Sequence, residues 1–291
     1  MSRLAPVGVL VGLVLFAGGC GVPAGEESPP PVAVTDPPSL AEPGPPPVAL
    51  PDPTPGANPR WRPGPDSTWQ YQLSGPLDLS VDADVFDVDW EETTAEQVRQ
   101  LHDAGRRVVC YVNAGAHEDW RPDAASYPEA VLGAPLDGWP GERWLDVRRT
   151  DVLLPLLGAR MDVCRDKGFD AVEADNVDGY GNRSGFDLAA ADQLAFNTAV
   201  AGLAHDRGMS IALKNDVEQV AELEPVFDFA VNEECLDYDE CEAYLPFLRA
   251  GKAVLAVEYS AVPAEQCARL DRLGLAVIVK SIDLDAPLRR C

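Results

Sequence analysis

One pattern constrains this chain more than any other: the end of an amphipathic helix, then a glycine, then a short apolar strand, repeated five times between residues 101 and 279. It runs Leu101-His-Asp-Ala-Gly105 before Arg107-Val-Val-Cys-Tyr-Val112, and Asp166-Lys-Gly168 before Phe169-Asp-Ala-Val172. It returns as Asp206-Arg-Gly208 before Ser210-Ile-Ala-Leu213, Ala250-Gly251 before Ala253-Val-Leu-Ala-Val257, and Leu273-Gly274 before Ala276-Val-Ile-Val279. Glycine just past a helix supplies the left-handed cap that ends it. Short, wholly apolar strands belong to parallel sheets covered by helices on both faces. Thr93 and Glu96 read as a capping box that opens the first of these helices. Adding Trp69–Leu73, Asp84–Phe86 and Phe227–Val231 brings the count to eight strands. Eight strands alternating with helices over about 230 residues predict an α/β fold, a (β/α)8 TIM barrel. The short link between the first two strands leaves the first helix reduced or absent. A doubly wound open sheet is the alternative, but no Gly-x-Gly-x-x-Gly follows any strand.

Residues 1–20 read as a targeting segment: Arg3 is the positive start, Val7 to Phe16 a short apolar run, and Ala17-Gly-Gly-Cys20 the end. The run is too short to span a bilayer, so it is expected to be a secretory signal. Small residues before a cysteine resemble a lipoprotein cleavage box, which makes Cys20 the expected lipidation site, although Ala17 stands where such a box usually has Leu. Ordinary secretion with Cys20 discarded is the alternative. Residues 21–60 hold 14 of the 27 prolines and few large apolar groups. Such a segment is expected to be a stiff, disordered tether. At about 3.1 Å per residue it would reach on the order of 100 Å from a membrane. The folded domain is expected over 61–291.

Residues 1–60 carry five acids and two bases, so residues 61–291 carry 43 acids and 21 bases, a net charge of −22. A surface of that sign disfavours nucleic acid and anionic lipid and would attract a cationic substrate. The plainer reading is a solubilising acidic surface. Six cysteines besides Cys20 suggest disulfides in an exported chain. Cys235 and Cys241 flank a short loop, Cys267 could hold Cys291, and Cys110 and Cys164 remain; this is one of 15 connectivities that six cysteines permit. Zinc has no Cys-x-x-Cys pair or histidine cluster to support it.

Barrel active sites form where strands end, and here those ends are polar. The segment Phe169–Tyr180 begins apolar and breaks into Asp175-Asn176-Val177-Asp178. Other strand ends offer Gln70 and Gln72, Asp87 and Asp89, Asn113 and Glu118, Lys214, Asn215 and Asp216, Asn232, Glu233 and Glu234, Glu258 and Tyr259, and Lys280 and Asp283. Trp69, Trp90, Tyr111, Trp120, Trp139, Trp144, Tyr180 and Tyr259 lie beside them. Rings with acids and amides suit sugar pockets, and core packing is the competing use of each ring. Two carboxylates straddling a bond can cleave a glycoside. Asp175 closing the fourth strand and Glu233 closing the sixth make a plausible pair, with Asp178, Glu234 and Glu258 left open. His102 and His205 fall within helices and His117 in a loop, so a Ser-His-Asp triad is not expected. Asp175-Asn-x-Asp178 could hold a hard cation only with further oxygen ligands, so neither metal nor cofactor is expected.

The chain resembles the (β/α)8 domain of glycoside hydrolase family 114, the endo-α-1,4-polygalactosaminidase group. The resemblance rests on Cys110-Tyr-Val-Asn-Ala-Gly115, Glu118-Asp-Trp-Arg121, Leu136-Asp-Gly-Trp-Pro-Gly141 and Trp144-Leu-Asp146. It continues through Gly168-Phe-Asp170, Asp175-Asn-Val-Asp-Gly-Tyr180, Leu213-Lys-Asn-Asp216, Phe229-Ala-Val-Asn-Glu233 and Val257-Glu-Tyr259. It implies retaining endo-hydrolysis of an α-1,4-linked, cationic galactosamine polymer, with Asp175 as nucleophile and Glu233 as acid/base. Substrate contacts are then expected from Asp87, Asp89, Tyr111, Asn176, Asp178, Lys214, Asn215, Asn232, Glu258 and Tyr259, with Asp87, Asp89, Asp178 and Glu258 as amine contacts. The expected partner is an amino-sugar polysaccharide; the membrane enters only through a lipid anchor on an extracytoplasmic monomer. The alternatives are a non-catalytic carbohydrate-binding barrel and a hydrolase of another α-glycan.

Overall fold

A computed structural model describes residues 60–291. The signal segment, Cys20 and the tether up to residue 59 lie outside the described residues. Twelve strands and six α-helices follow in order: β1 (Trp69–Gln72), β2 (Val85–Asp89), α1 (Ala95–Asp103), β3 (Arg107–Asn113), β4 (Ala116–Glu118), β5 (Leu132–Pro135), β6 (Glu142–Leu145), α2 (Thr150–Lys167), β7 (Ala171–Asp175), α3 (Ala190–Asp206), β8 (Ser210–Lys214), α4 (Val220–Leu223), β9 (Phe229–Glu233), α5 (Leu245–Arg249), β10 (Val254–Glu258), α6 (Ala264–Leu273), β11 (Leu275–Val279) and β12 (Arg289–Arg290). No helix among the described residues is long and apolar enough to cross a membrane.

The eight expected strands are all present, parallel, and ordered β1-β2-β3-β7-β8-β9-β10-β11 in one curled sheet. Strand alternation gives each of them two faces. Odd-numbered residues such as Trp69, Val109, Phe229, Leu255 and Val257 fill the barrel interior as one buried cluster. Their alternate neighbours, such as Phe86, Val108, Val172 and Val254, pack outward against the helices as a second cluster, and the parity reverses in β8 and β11, where Ala212 and Ile278 face inward and Leu213 and Val277 outward. Each of the five repeat glycines has positive φ, from 71° at Gly251 to 93° at Gly168 and Gly274. Gly168 and Gly274 are the left-handed caps of α2 and α6.

Three details depart from the expectation. The capping box lies one residue later than Thr93/Glu96: Thr94 Oγ1 accepts from Gln97 N at 3.2 Å, and Gln97 Oε1 accepts from Thr94 N at 2.9 Å. The sequence Thr93-Thr94-Ala-Glu96-Gln97 contains two overlapping frames, and Glu96 is taken up by Arg99 instead. Second, a small antiparallel sheet, β4-β6-β5, is inserted between β3 and α2. It places His117 in a strand, buried edge-on against Tyr127. Third, no helix separates β1 from β2, as expected, but none follows β11 either. Beyond β11 the chain returns as β12, antiparallel to it. The seam between β1 and β11 is closed by single bonds: Trp69 Nε1 to Ala276 O at 2.9 Å, Leu73 N to Leu284 O at 2.9 Å, and Lys280 Nζ to Gln70 Oε1 at 2.9 Å. Gln70 and Lys280 therefore belong to barrel closure rather than to the rim.

The six cysteines pair as Cys110–Cys164, Cys235–Cys241 and Cys267–Cys291. The helical histidines are tied down structurally. His102 meets Asp170 at 2.8 Å and His205 meets Asp228 at 2.8 Å, each where a helix end touches the start of a strand.

Candidate active site

Strands β7, β8 and β9 end on Asp175, Lys214 and Glu233, and each is followed by a residue in the left-handed region: Asn176 at φ 59°, Asn215 at 48° and Glu234 at 59°. That turn breaks the strand at once, so the last side chain projects from the barrel mouth. Gly115 tightens the same corner. Its N–H and that of Ala114 both donate to Asp175 O at 3.0 Å, and a Cβ on Gly115 would fall 1.7 Å from Asn176 O.

Lys214 stands at the centre of the site. Its ammonium lies 2.9 Å from Asp175 Oδ1, 3.3 Å from Glu233 Oε2 and 3.3 Å from Glu173 Oε1. Tyr111 donates to the other Asp175 oxygen at 2.7 Å, and Tyr259 donates to Glu233 Oε1. Burial favours the neutral form of Asp175, but the Lys214 ammonium and the Tyr111 hydroxyl outweigh it and hold its pKa below the ordinary aspartate range. Burial likewise disfavours the Lys214 ammonium, and Asp175, Glu233 and Glu173 outweigh that and push its pKa well up.

A cavity of about 1710 Å³ opens over these strand ends. Its lining includes eleven carboxylic side chains against two cations, Lys214 and Arg183, and Arg183 is engaged by Asp137 at 2.8 Å. On one wall Asp178 and Asp216 approach each other. Burial, and then the Asp175 charge, push Asp178 up to about 6; burial and Asp178 push Asp216 up to about 8. Asn197 donates to Asp216 Oδ2 at 2.8 Å, while buried Asp216 Oδ1 has no hydrogen-bond partner. Glu142 of the inserted sheet accepts from Asn113 at 2.9 Å and is raised to about 7, chiefly by burial. Trp139, Trp144, Tyr180 and Tyr238 supply aromatic surface.

Of the residues singled out from sequence, Asp175, Glu233, Tyr111, Asn176, Asp178, Lys214 and Asn215 line this cavity, and Tyr259 touches it through Glu233. Four others do not. Asp87 is buried in the barrel interior below the mouth. Asp89 is held by both terminal nitrogens of Arg121, at 3.0 and 2.6 Å. Asn232 and Glu258 occupy even positions, so they face outward: Asn232 Nδ2 bonds Glu240 and Tyr244, and Glu258 accepts from Leu236 N. Trp69 and Trp90 are core residues, and Trp120 is exposed away from the cavity. Sequence reading missed Tyr71, Glu142 and Glu173. Strand alternation carried the signal for Glu173, which shares the face of Asp175 two residues on. Among the described residues one cluster has metal-ligand spacing, Cys235, Cys241 and Glu258, but its two sulfurs are bonded to each other.

The model of glycoside-hydrolase family GH114 matches residues 51–291. Among solved structures, the crystal structure of Aspergillus fumigatus Ega3 in complex with galactosamine is similar, with 36% identity and a TM-score of 0.75 over 80% of this chain and 98% of that one. The glycoside hydrolase domain of PelA from Pseudomonas aeruginosa shares the fold at 18% identity and a TM-score of 0.61, over 77% of this chain and 98% of that one. No curated protein matches the sequence. An eight-strand barrel with a carboxylate-lined mouth, matched over nearly all its length, belongs to glycoside-hydrolase family GH114, and the chain is a glycoside hydrolase.

Proposed function

We propose that this enzyme is a retaining endo-glycosidase of α-1,4-linked, galactosamine-containing polysaccharide, with Asp175 as nucleophile and Glu233 as acid/base. The observation that carries the reading is Lys214 bridging the two carboxylates. Its contacts of 2.9 and 3.3 Å add to about 6.2 Å, which bounds the distance between the bridged oxygens. Retaining enzymes separate their carboxyl groups by about 5–5.5 Å, and inverting ones by about 6.5–9.5 Å to admit a water. The division of roles follows the surroundings. Asp175 is kept ionised by Lys214 and Tyr111, as a nucleophile must be. Glu233 is about a quarter exposed at the cavity and bonded to Tyr259, where it can reach a leaving oxygen and later a water.

In the first step Asp175 Oδ2 or Oδ1 attacks the anomeric carbon while Glu233 gives its proton to the departing glycosidic oxygen. Glu233 then takes a proton from water, and that water releases the sugar from Asp175. The cavity exceeds the roughly 300–1,000 Å³ of small-molecule pockets, which suits several rings of a chain. Its carboxyl excess favours amines over neutral sugars, and Ega3, the solved relative, holds galactosamine. The three disulfides support an extracytoplasmic location. A lipid anchor at Cys20 completes the proposed placement.

Incubating the protein with polygalactosamine, with its N-acetylated form and with neutral α-glycans tests the reading. Wild type should shorten the cationic polymer and release the α-anomer first. Asp175→Asn and Glu233→Gln should each lose roughly 10³-fold or more. Release of the β-anomer, preference for a neutral glycan, or partial activity in both variants would overturn the assignment.

A further inference from the structure

Beneath the reacting pair the barrel interior holds two carboxyl groups that the hydrolysis described above does not use. Asp87 of β2 and Glu173 of β7 are both fully buried, and close enough that the charge of Glu173 bears on Asp87. Glu173 Oε1 is fully engaged: Tyr71 OH donates to it at 3.0 Å and Lys214 Nζ lies at 3.3 Å. The remaining oxygens are orphans. Glu173 Oε2 and both Asp87 oxygens are buried with no donor among the described residues. Two buried carboxylates this close cannot both ionise, and one proton between them gives each an acceptable partner.

We propose that Asp87 and Glu173 share one proton, carried by Asp87, and that this pair anchors Lys214 from below as a positioning unit for Asp175 and Glu233. The inference rests on the catalytic pair assigned above. An ammonium has three N–H donors, and Lys214 meets three carboxylates, Glu173, Asp175 and Glu233. Glu173 is the one of the three that lies outside the cavity lining, so substrate cannot displace it. Were Asp87 ionised, Glu173 would lose its donor and face a second negative charge. Lys214 would then be drawn inward, away from the reacting pair. The groups facing this unit are Tyr71 from β1, Tyr111 from β3, Asp175 from β7, Lys214 from β8 and Glu233 from β9. Burial first, and then Glu173, raise Asp87 well above an ordinary aspartate, the direction the geometry requires.

Infrared difference spectra and pH profiles of three variants test this. Wild type minus Asp87→Asn at neutral pH should show the loss of one protonated carboxyl band, a readout independent of substrate. Asp87→Leu, which leaves Glu173 Oε2 without a donor, should lower kcat about ten- to a hundredfold with KM little changed. Asp87→Asn retains an N–H donor and should recover most of that loss. Glu173→Gln removes a negative charge near Asp175, so the acidic limb of kcat/KM should move to lower pH. An unchanged infrared spectrum, or wild-type kcat and pH profile in both Asp87→Leu and Glu173→Gln, overturns the proposal. If Asp87→Leu fails to fold, the infrared difference and the Glu173→Gln profile decide the matter. An inactive wild type would instead refute the glycosidase assignment, so the two failures are distinguishable.

Discussion

The Tyr111 hydroxyl donates to Asp175 Oδ2 at 2.7 Å, on the opposite oxygen from Lys214. Tyr111 lies two residues before Asn113, which closes the third strand and whose partner in the ladder is Asp175 itself. Tyr111→Phe leaves Oδ2 with the weaker Asn176 contact at 3.2 Å. A hydrogen bond to a charged group contributes about 1.5–3 kcal/mol, so kcat/KM should fall roughly ten- to a hundredfold. Asp175 is held below its ordinary pKa partly by this bond, so losing the bond raises it. The acidic limb of the pH profile should therefore move to higher pH, opposite to Glu173→Gln. A kinetic titration showing no such movement would detach Tyr111 from the proposed nucleophile.

Asp216 is raised to about 8 by burial and by Asp178. In the unfolded chain its pKa returns to about 3.9. Between those values the folded state binds the extra proton, so this group's contribution to stability is complete below about pH 4 and declines as pH rises through about 8. Asp216→Asn removes the titration. Asparagine can still accept from Asn197 and tolerates the left-handed φ of 46° at this position. Thermal melts should show equal Tm near the acid end and a gain of about 2–4 °C for the variant at pH 9. Glu142 and Glu258 are raised alike in both proteins and cancel in the difference, which reports Asp216 together with the Asp178 charge it faces. A variant that melts earlier at pH 9 would contradict the raised pKa.

The barrel was legible because its strands are short apolar runs that follow glycine-capped helix ends, as at Gly168-Phe169 and Gly274-Leu275. The inserted sheet was not. Its strands have three or four residues, and Leu132-Gly-Ala-Pro135 carries residues that read as loop. At the site, the mouth residues surfaced as a break in an apolar pattern, which found Asp175, Lys214 and Glu233. Choosing residues by their place at a strand end ignored alternation, which turns Asn232 and Glu258 outward beside the interior-facing Glu233 and Val257. Asp87 and Glu173 lie on the interior face one layer too deep. Asp87 looks like a mouth acid in sequence and Glu173 passes unnoticed within an apolar strand, yet both lie below the residues that line the cavity.

Cys110–Cys164 joins β3 to α2 across 54 residues, whereas Cys235–Cys241 closes six. Loop entropy alone predicts about 4 kcal/mol for the first and about 2 kcal/mol for the second. Urea titrations of the Cys110→Ala/Cys164→Ala and Cys235→Ala/Cys241→Ala double variants should give the larger loss of midpoint for the first. The cysteines of both bridges are buried in the helix-facing core, so alanine cavities add to both losses and loop length sets the order. A reversed order would show that strain or residual structure in the unfolded chain dominates over loop length.

Trp139 sits on the turn between β5 and β6, about half exposed, and lines the cavity together with exposed Tyr238 and Ile282. An exposed indole in a carboxylate-lined cleft offers an amino sugar a flat apolar face and a cation–π contact. At exposed sites such a contact contributes about 0.5–1 kcal/mol, or roughly two- to fivefold in affinity. Trp139 lies on the inserted sheet rather than at the strand ends that carry Asp175 and Glu233. Trp139→Ala should therefore raise KM for long cationic polymer by that factor and leave kcat unchanged. Oligomers too short to reach the turn should show no effect. A fall in kcat with KM unchanged would mean that the insert shapes the reacting centre, and an equal effect on the shortest cleavable oligomer would place Trp139 beside it.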